Sequence, residues 1–224
     1  DWRFGWGAQD DDESIAAIRA AIERGVNWID TAAVYGLGHS EEVVARALRD
    51  FAPADRPWVF TKCGMVWDEG SSDRDARRVA TAKTVRREFH DSLRRLGVDR
   101  IDLFQVHWPP EDDTPVEEYW GAMLDLKRQG LARAVGLSNH DAAQLARASA
   151  MGHVDTLQPP FSLIRRDIAN AELPWCAAHR IGVLAYSPMQ SGLLTGTFSA
   201  ARLAALPAND WRASSARFQG KAFE

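Results

Sequence analysis

A (β/α)8 barrel is the fold this sequence predicts, and three observations predict it. Short apolar runs alternate with helix-like stretches along the chain. The runs are nearly continuous in apolar residues, which means burial on both faces and therefore a parallel sheet. Each run also ends on or beside a polar or ionisable residue: Asp30, Lys62, His107, Ser138 with Asn139, Gln158 and Tyr186. In an open doubly wound sheet only the strands at the switch point need such ends. In a barrel all of them converge on one mouth, where the active site sits.

The elements follow in order. Ser14 to Arg24 reads as a helix, with Ile15, Ile18 and Ile22 at helical spacing and Arg19, Glu23 and Arg24 turned outward. The acids before it suit a helix N-terminus, and Gly25 ends it. "VNWID" (26–30) is the first strand, and a glycine-rich turn then opens an acidic helix, Ser40 to Asp50. "WVFTK" (58–62) leads to the helix Thr84 to Leu96, closed by Gly97, and "IDLFQVH" (101–107) to Val116 to Gln129, closed by Gly130. "ARAVGLSN" (132–139), the helix Ala142 to Ala150, "VDTLQ" (154–158), the helix Asn170 to His179 and "IGVLAYS" (181–187) complete the alternation.

These are six strands where a closed barrel needs eight, and an open barrel would expose two sheet edges. The expectation is one barrel domain over residues 1–224, lacking its first strand before Asp1 and its last after Glu224.

Composition narrows the function. A net charge of −4 without a basic stripe argues against nucleic acid as partner. No apolar run approaches the roughly 18 residues of a membrane span, so no membrane partner is expected and cytoplasmic residence is the default. Cys63 and Cys176 form no CxxC pair, and the six histidines contain no HxH or HExxH pair, so no metal site is expected. "GLGHSE" follows a strand, but it lacks the third glycine of a dinucleotide fingerprint, and Tyr35 and other residues part it from the strand.

The strand ends carry the chemistry. A lysine beside a buried carboxylate stays charged, and a nearby ammonium is expected to lower a phenol's pKa. Such a tyrosine can give its proton to a developing alkoxide, and a histidine N–H can orient the same oxygen.

At these residues the chain resembles a known family. "IDTAAVYGLGHSEE", "FTKCG", "DLFQVHWP", "AVGLSN", "LQPPF" and "VLAYSPMQSGLLTG" stand in the order seen in the aldo-keto reductases, over about Gly25 to Gly196. The resemblance implies a (β/α)8 barrel that reduces a small aldehyde or ketone with a nicotinamide cofactor, usually NADPH, NADH not being excluded. It maps the catalytic group onto Asp30, Tyr35, Lys62 and His107, with Tyr35 as general acid. It places Ser138, Asn139 and Gln158 at the nicotinamide carboxamide, Tyr186 against the ring, and Ser187, Met189, Ser191 and Leu193 around the pyrophosphate. Trp108 would line an apolar substrate wall, with Trp6 or Trp67 beside it. Ser162 stands where relatives often carry asparagine. The alternative function is a cofactor-binding regulatory barrel resembling potassium-channel β subunits. Substrate identity and oligomeric state have no signature in the sequence.

Overall fold

The computed structural model describes residues 8–68, 75–207, 210–213 and 215–218. Its frame is a curled parallel sheet of six strands, a partial barrel: β1 (Trp28–Asp30), β2 (Trp58–Cys63), β5 (Ile101–Val106), β6 (Ala132–Ser138), β7 (Thr156–Gln158) and β8 (Gly182–Val183), paired in that order. Between β2 and β5 lies a small antiparallel pair, β3 (Met65–Val66) and β4 (Arg77–Arg78). The sequence reading gave this segment no element, because two-residue strands carry no periodicity.

Helix α1 (Asp11–Glu23) precedes β1, helices α2 (His39–Leu48), α3 (Ala82–Leu96), α4 (Val116–Arg128), α5 (Ala142–Met151) and α6 (Glu172–His179) fall between the strands, and α7 (Ala200–Ala204) follows β8. α1 starts earlier than expected because Asp10 is the N-cap, its carboxylate accepting from the backbone N–H of Asp12 and Glu13. The acids of "DDDE" thus form the first turn, where they meet the positive end of the helix dipole. Arg19 does not simply face outward: its guanidinium donates to the Ala47 carbonyl at the end of α2 and pairs with Asp50 at 2.5 Å. Thr81 and Gln144 with Asp141 complete capping boxes on α3 and α5.

The core lies between the sheet and α3 to α5. Phe89, Ile101, Phe104, Tyr119, Trp120, Met123, Val135, Leu145 and Leu157 are all within 1% of full burial. Phe89 meets Phe104 edge-on, with ring centroids 4.9 Å apart.

β8 is shorter than the expected run 181–187, and the reason lies in its neighbour. β7 continues into Pro159 and Pro160, which have no N–H to donate, so a regular ladder stops there. Contact persists through Leu184 N–H to the Leu157 carbonyl, Tyr186 N–H to the Pro159 carbonyl, and Phe161 N–H to the Tyr186 carbonyl. Tyr186 thus stays level with Pro160, two residues beyond Gln158, held by an isolated bridge rather than a strand.

Register brings the strand ends level. Asp30 pairs with Phe60, Lys62 with Gln105 and Ser138 with Gln158. The C-terminal end of the sheet therefore brings Asp30, Lys62, Ser138 and Gln158 to one mouth.

Candidate active site

Asp30 and Lys62 form the floor. Lys62 Nζ lies 2.6 Å from Asp30 Oδ2 and 2.9 Å from the Thr31 carbonyl. The Lys62 side chain is 3% exposed and that of Asp30 23%. Burial pulls the Lys62 pKa down, while the charge and hydrogen bond of Asp30 oppose that. The second Asp30 oxygen, Oδ1, is buried and has no partner among the described residues.

A polar layer continues from this pair across the barrel interior. Gln158 Nε2 donates to Asp30 Oδ2 at 3.2 Å, Gln105 Nε2 to Gln158 Oε1 at 3.1 Å, and Thr156 Oγ1 to Gln105 Oε1 at 3.1 Å. Gln105 and Thr156 escaped sequence reasoning, Gln105 as a lone polar residue between apolar neighbours and Thr156 as one of several polar residues in "VDTLQ". Gly136 belongs with them. A Cβ there would stand 2.0 Å from Thr156 Oγ1, so no larger residue fits beside this layer.

Tyr35 enters from the turn after β1. Tyr35–Gly38 forms a tight 3-10 turn in which Gly36, Leu37 and Gly38 all take positive φ. The turn leans on a buried ion pair. Glu41, 0% exposed, accepts from Arg95 Nε at 2.6 Å and from Thr61 Oγ1 at 2.6 Å. A Cβ on Gly38 would meet Arg95 Cδ at 2.8 Å. Thr61 immediately precedes Lys62, so this cluster ties the tyrosine turn to the lysine strand.

Lys62 Nζ sits 5.6 Å from the Tyr35 ring centroid. The expected acidification of the phenol does not follow from this proximity. Burial, with the Asp30 charge behind it and Tyr186 after, pushes the Tyr35 hydroxyl up to about 12. The phenol is held protonated.

His107 follows β5, with its N–H bound to the Cys63 carbonyl. Its ring meets Tyr35 edge-on, centroids 5.7 Å apart. Burial, then the positive charges of Lys62 and Arg78, push the imidazole down to about 3, so it is neutral and carries one N–H. Its Nδ1 is buried without a partner among the described residues. Trp108 lies near-parallel to His107 and is covered by the Arg78 guanidinium, 4.6 Å from its ring centroid. The β3–β4 pair that supplies Arg78 is thus part of the wall. Trp67 is half-buried just past β3, and Trp6 lies outside the described residues.

The opposite side of the mouth is built from β6, β7 and the segment after β8. Ser138 Oγ donates to the Gln158 carbonyl at 2.8 Å. Asn139 Nδ2 donates to the His107 carbonyl at 2.9 Å and to Ser138 Oγ at 3.1 Å, while the Tyr186 hydroxyl donates to Asn139 Oδ1 at 2.8 Å. Among the described residues, one N–H of Gln158 and one lone pair of Asn139 Oδ1 remain, a donor and an acceptor of the kind a carboxamide needs.

Beyond Tyr186 the backbone is unusual. Ser187, Gln190 and Ser191 take positive φ without being glycine, and Gly192 adds a fourth such residue. Left-handed residues of this kind cost on the order of 1–3 kcal/mol each and cluster where a ligand or loop geometry demands them. Ser191 and Leu193 line a groove of about 400 Å3 together with Gln190, Arg165 and Arg217. Met189 is 48% exposed. Ser162, buried, closes the intervening loop by accepting from Arg165 N–H at 2.9 Å, so a serine serves that turn.

The description "Aldo/keto reductase family" matches residues 1–207. The chain belongs to the aldo/keto reductase family. Among similar family members, the aldo-keto reductase YhdN of Bacillus subtilis (strain 168) is 37% identical over 198 residues, 87% of this chain and 58% of that protein. The NADH-specific methylglyoxal reductase of Escherichia coli (strain K12) is 37% identical over 193 residues, 83% of this chain and 59% of that protein. The chain therefore spans under two thirds of the length of these family members. The structure of the glycerol dehydrogenase AKR11B4 from Gluconobacter oxydans is similar with a TM-score of 0.87 at 39% identity, covering 97% of this chain and 65% of that one. The quartet and the frame opposite it thus lie within the residues matched by the aldo/keto reductase family.

Proposed function

We propose that this protein reduces a small aldehyde or ketone to an alcohol with NADPH, NADH also serving. The observation that carries the reading is the convergence of a buried Lys62–Asp30 pair, a protonated Tyr35 and a neutral His107 at one mouth. The relatives named for methylglyoxal and glycerol support a short, oxygenated substrate.

The cofactor side fits such a group. Gln158 and Asn139 keep hydrogen-bonding capacity for a carboxamide, Tyr186 is fixed by its hydroxyl to present its ring, and Ser138 braces both. Ser187, Met189, Ser191 and Leu193 would hold the pyrophosphate, beside the groove that Arg165 and Arg217 line. When bound, the reduced nicotinamide supplies the hydride.

The chain's own residues do the rest. A neutral His107 N–H donates to the substrate carbonyl oxygen and orients it. Tyr35 gives that oxygen its proton, a downhill transfer because an alkoxide is more basic than a phenolate. Lys62, kept cationic by Asp30, faces the phenolate that remains and stabilises its charge. Trp108 shields the reacting carbonyl from water.

This arrangement of groups is what turnover requires, and it favours catalysis over a purely regulatory barrel. The test is a panel of aldehydes, ketones and sugars assayed by NADPH and NADH oxidation with full-length protein. Binding of either cofactor without turnover on any member of the panel would overturn the catalytic reading and leave the regulatory one.

A further inference from the structure

Asn139 does two jobs at once, and it does them from a left-handed backbone. Its side chain links the carbonyl of His107 to the hydroxyl of Tyr186, and its φ is +61. A non-glycine residue stays in that region only when its surroundings hold it there. The neighbouring groups show what does so. His140 is 3% exposed, and its Nδ1 lies 2.8 Å from the Ser138 carbonyl. A carbonyl can only accept, so Nδ1 carries the proton. Burial keeps the ring neutral, which leaves Nε2 bare. Nε2 lies 2.9 Å from the hydroxyl of Tyr119, 1% exposed on α4, and that hydroxyl is therefore the donor. The result is a directed chain from α4 through His140 into the backbone just before Asn139.

We propose that Tyr119 and His140 are positioning residues that latch the Ser138–Asn139 corner in its left-handed form. The latch holds Asn139 where it can bridge His107 and Tyr186. Both residues are buried behind the corner, and both act through Asn139. The functional consequence rests on the reading of Asn139 and Tyr186 as cofactor-side groups. Its two bonds give the buried imidazole of His140 a fixed tautomer and orientation, and one of them ends on the backbone of the corner itself.

The test reads NADPH affinity by fluorescence titration of full-length protein, which needs no turnover and so stands apart from the choice of substrate. Replacing both partners together, Tyr119→Phe with His140→Phe, keeps an aromatic ring at each position, strands neither a hydroxyl nor a ring nitrogen, and removes the donor to the Ser138 carbonyl. The dissociation constant of this double variant is expected to rise about tenfold, the equivalent of one lost hydrogen bond. His140→Asn places an amide nitrogen near the former Nδ1 and should stay within about threefold of the wild type. A double variant that loses thermal stability but binds NADPH like the wild type would reduce the pair to packing and overturn the latch. An asparagine variant as weak as the double would overturn it too. Should the double variant not fold, Tyr119→Phe alone decides: a rise of about threefold supports the latch, and unchanged affinity overturns it.

Discussion

The two sides of the mouth differ in what they leave unpaired. On the side built from β1, β2 and β5, Asp30 Oδ1 and His107 Nδ1 are buried without partners among the described residues. On the side built from β6, β7 and the segment to Tyr186, Ser138, Asn139 and Gln158 are bonded to one another and to the backbone. An unpaired buried polar group is costly, and at the mouth of a site it is free to meet a ligand. A bonded frame, by contrast, fixes geometry in advance. On the proposed function, one side reacts and the other aligns.

Four substitutions can break or sharpen that contrast, the first with the largest effect. Tyr35→Phe keeps the ring and removes the proton, so carbonyl reduction should fall by about 10²–10⁴ with cofactor affinity unchanged. Turnover within a few-fold of wild type would remove Tyr35 from the reacting side. Because Tyr35 is held near 12 and His107 near 3, neither should put a limb on the wild-type pH–rate profile between pH 5 and 10.

Lys62→Met comes next, with an expected loss of about a hundredfold in kcat. It also strands the Asp30 carboxylate, so the thermal midpoint should fall, and adding Asp30→Asn should recover part of it. Stability losses that simply add in the double variant would show that the two groups are uncoupled.

Glu88→Gln probes the support beneath the reacting side. Glu88 is 5% exposed, accepts from Gly64 N–H at 3.0 Å just past Lys62, and has burial pushing its pKa up to about 7. A carboxyl whose folded value is raised stabilises the fold below its unfolded value of 4.5 and loses that contribution as pH rises through 7. The glutamine variant should therefore gain on the wild type across this window, by up to about 3 kcal/mol, in denaturant titrations at pH 4.5 and 8. A constant gap would mean that Glu88 keeps an ordinary pKa.

The smallest effect is expected on the aligning side. Tyr186→Phe removes the hydroxyl that fixes the ring to Asn139, and the KM for the cofactor should rise about threefold to tenfold with kcat nearly constant. A large fall in kcat with unchanged KM would move Tyr186 to the reacting side.

The reacting side was legible because Asp30, Lys62 and His107 interrupt apolar runs at their ends, where polarity is conspicuous. Gln105 was not, because a single polar residue within "DLFQVH" looks the same whether it faces the barrel interior or a helix. Glu41 was hidden differently. It reads as part of an acidic helix, and its burial depends on Arg95, 54 residues further on, which no local pattern reveals. His140 likewise counted as one scattered histidine until Tyr119 was found behind it. The raised pKa of Tyr35 ran against expectation because charge proximity can be read from motifs, whereas burial cannot.

The hydrogen bond from Gln158 to Asp30 has a consequence for the order of folding. It joins residues 128 apart in sequence, whereas Asp30 and Lys62 are 32 apart. That is two doublings of loop length, or about 1.2 kcal/mol more closure entropy. The ion pair can assemble while the chain beyond β5 is still disordered, but its clasp to the far side must wait for β7 to dock. In refolding from denaturant, catalytic activity should then return after most of the helical signal, as the final event rather than a gradual one.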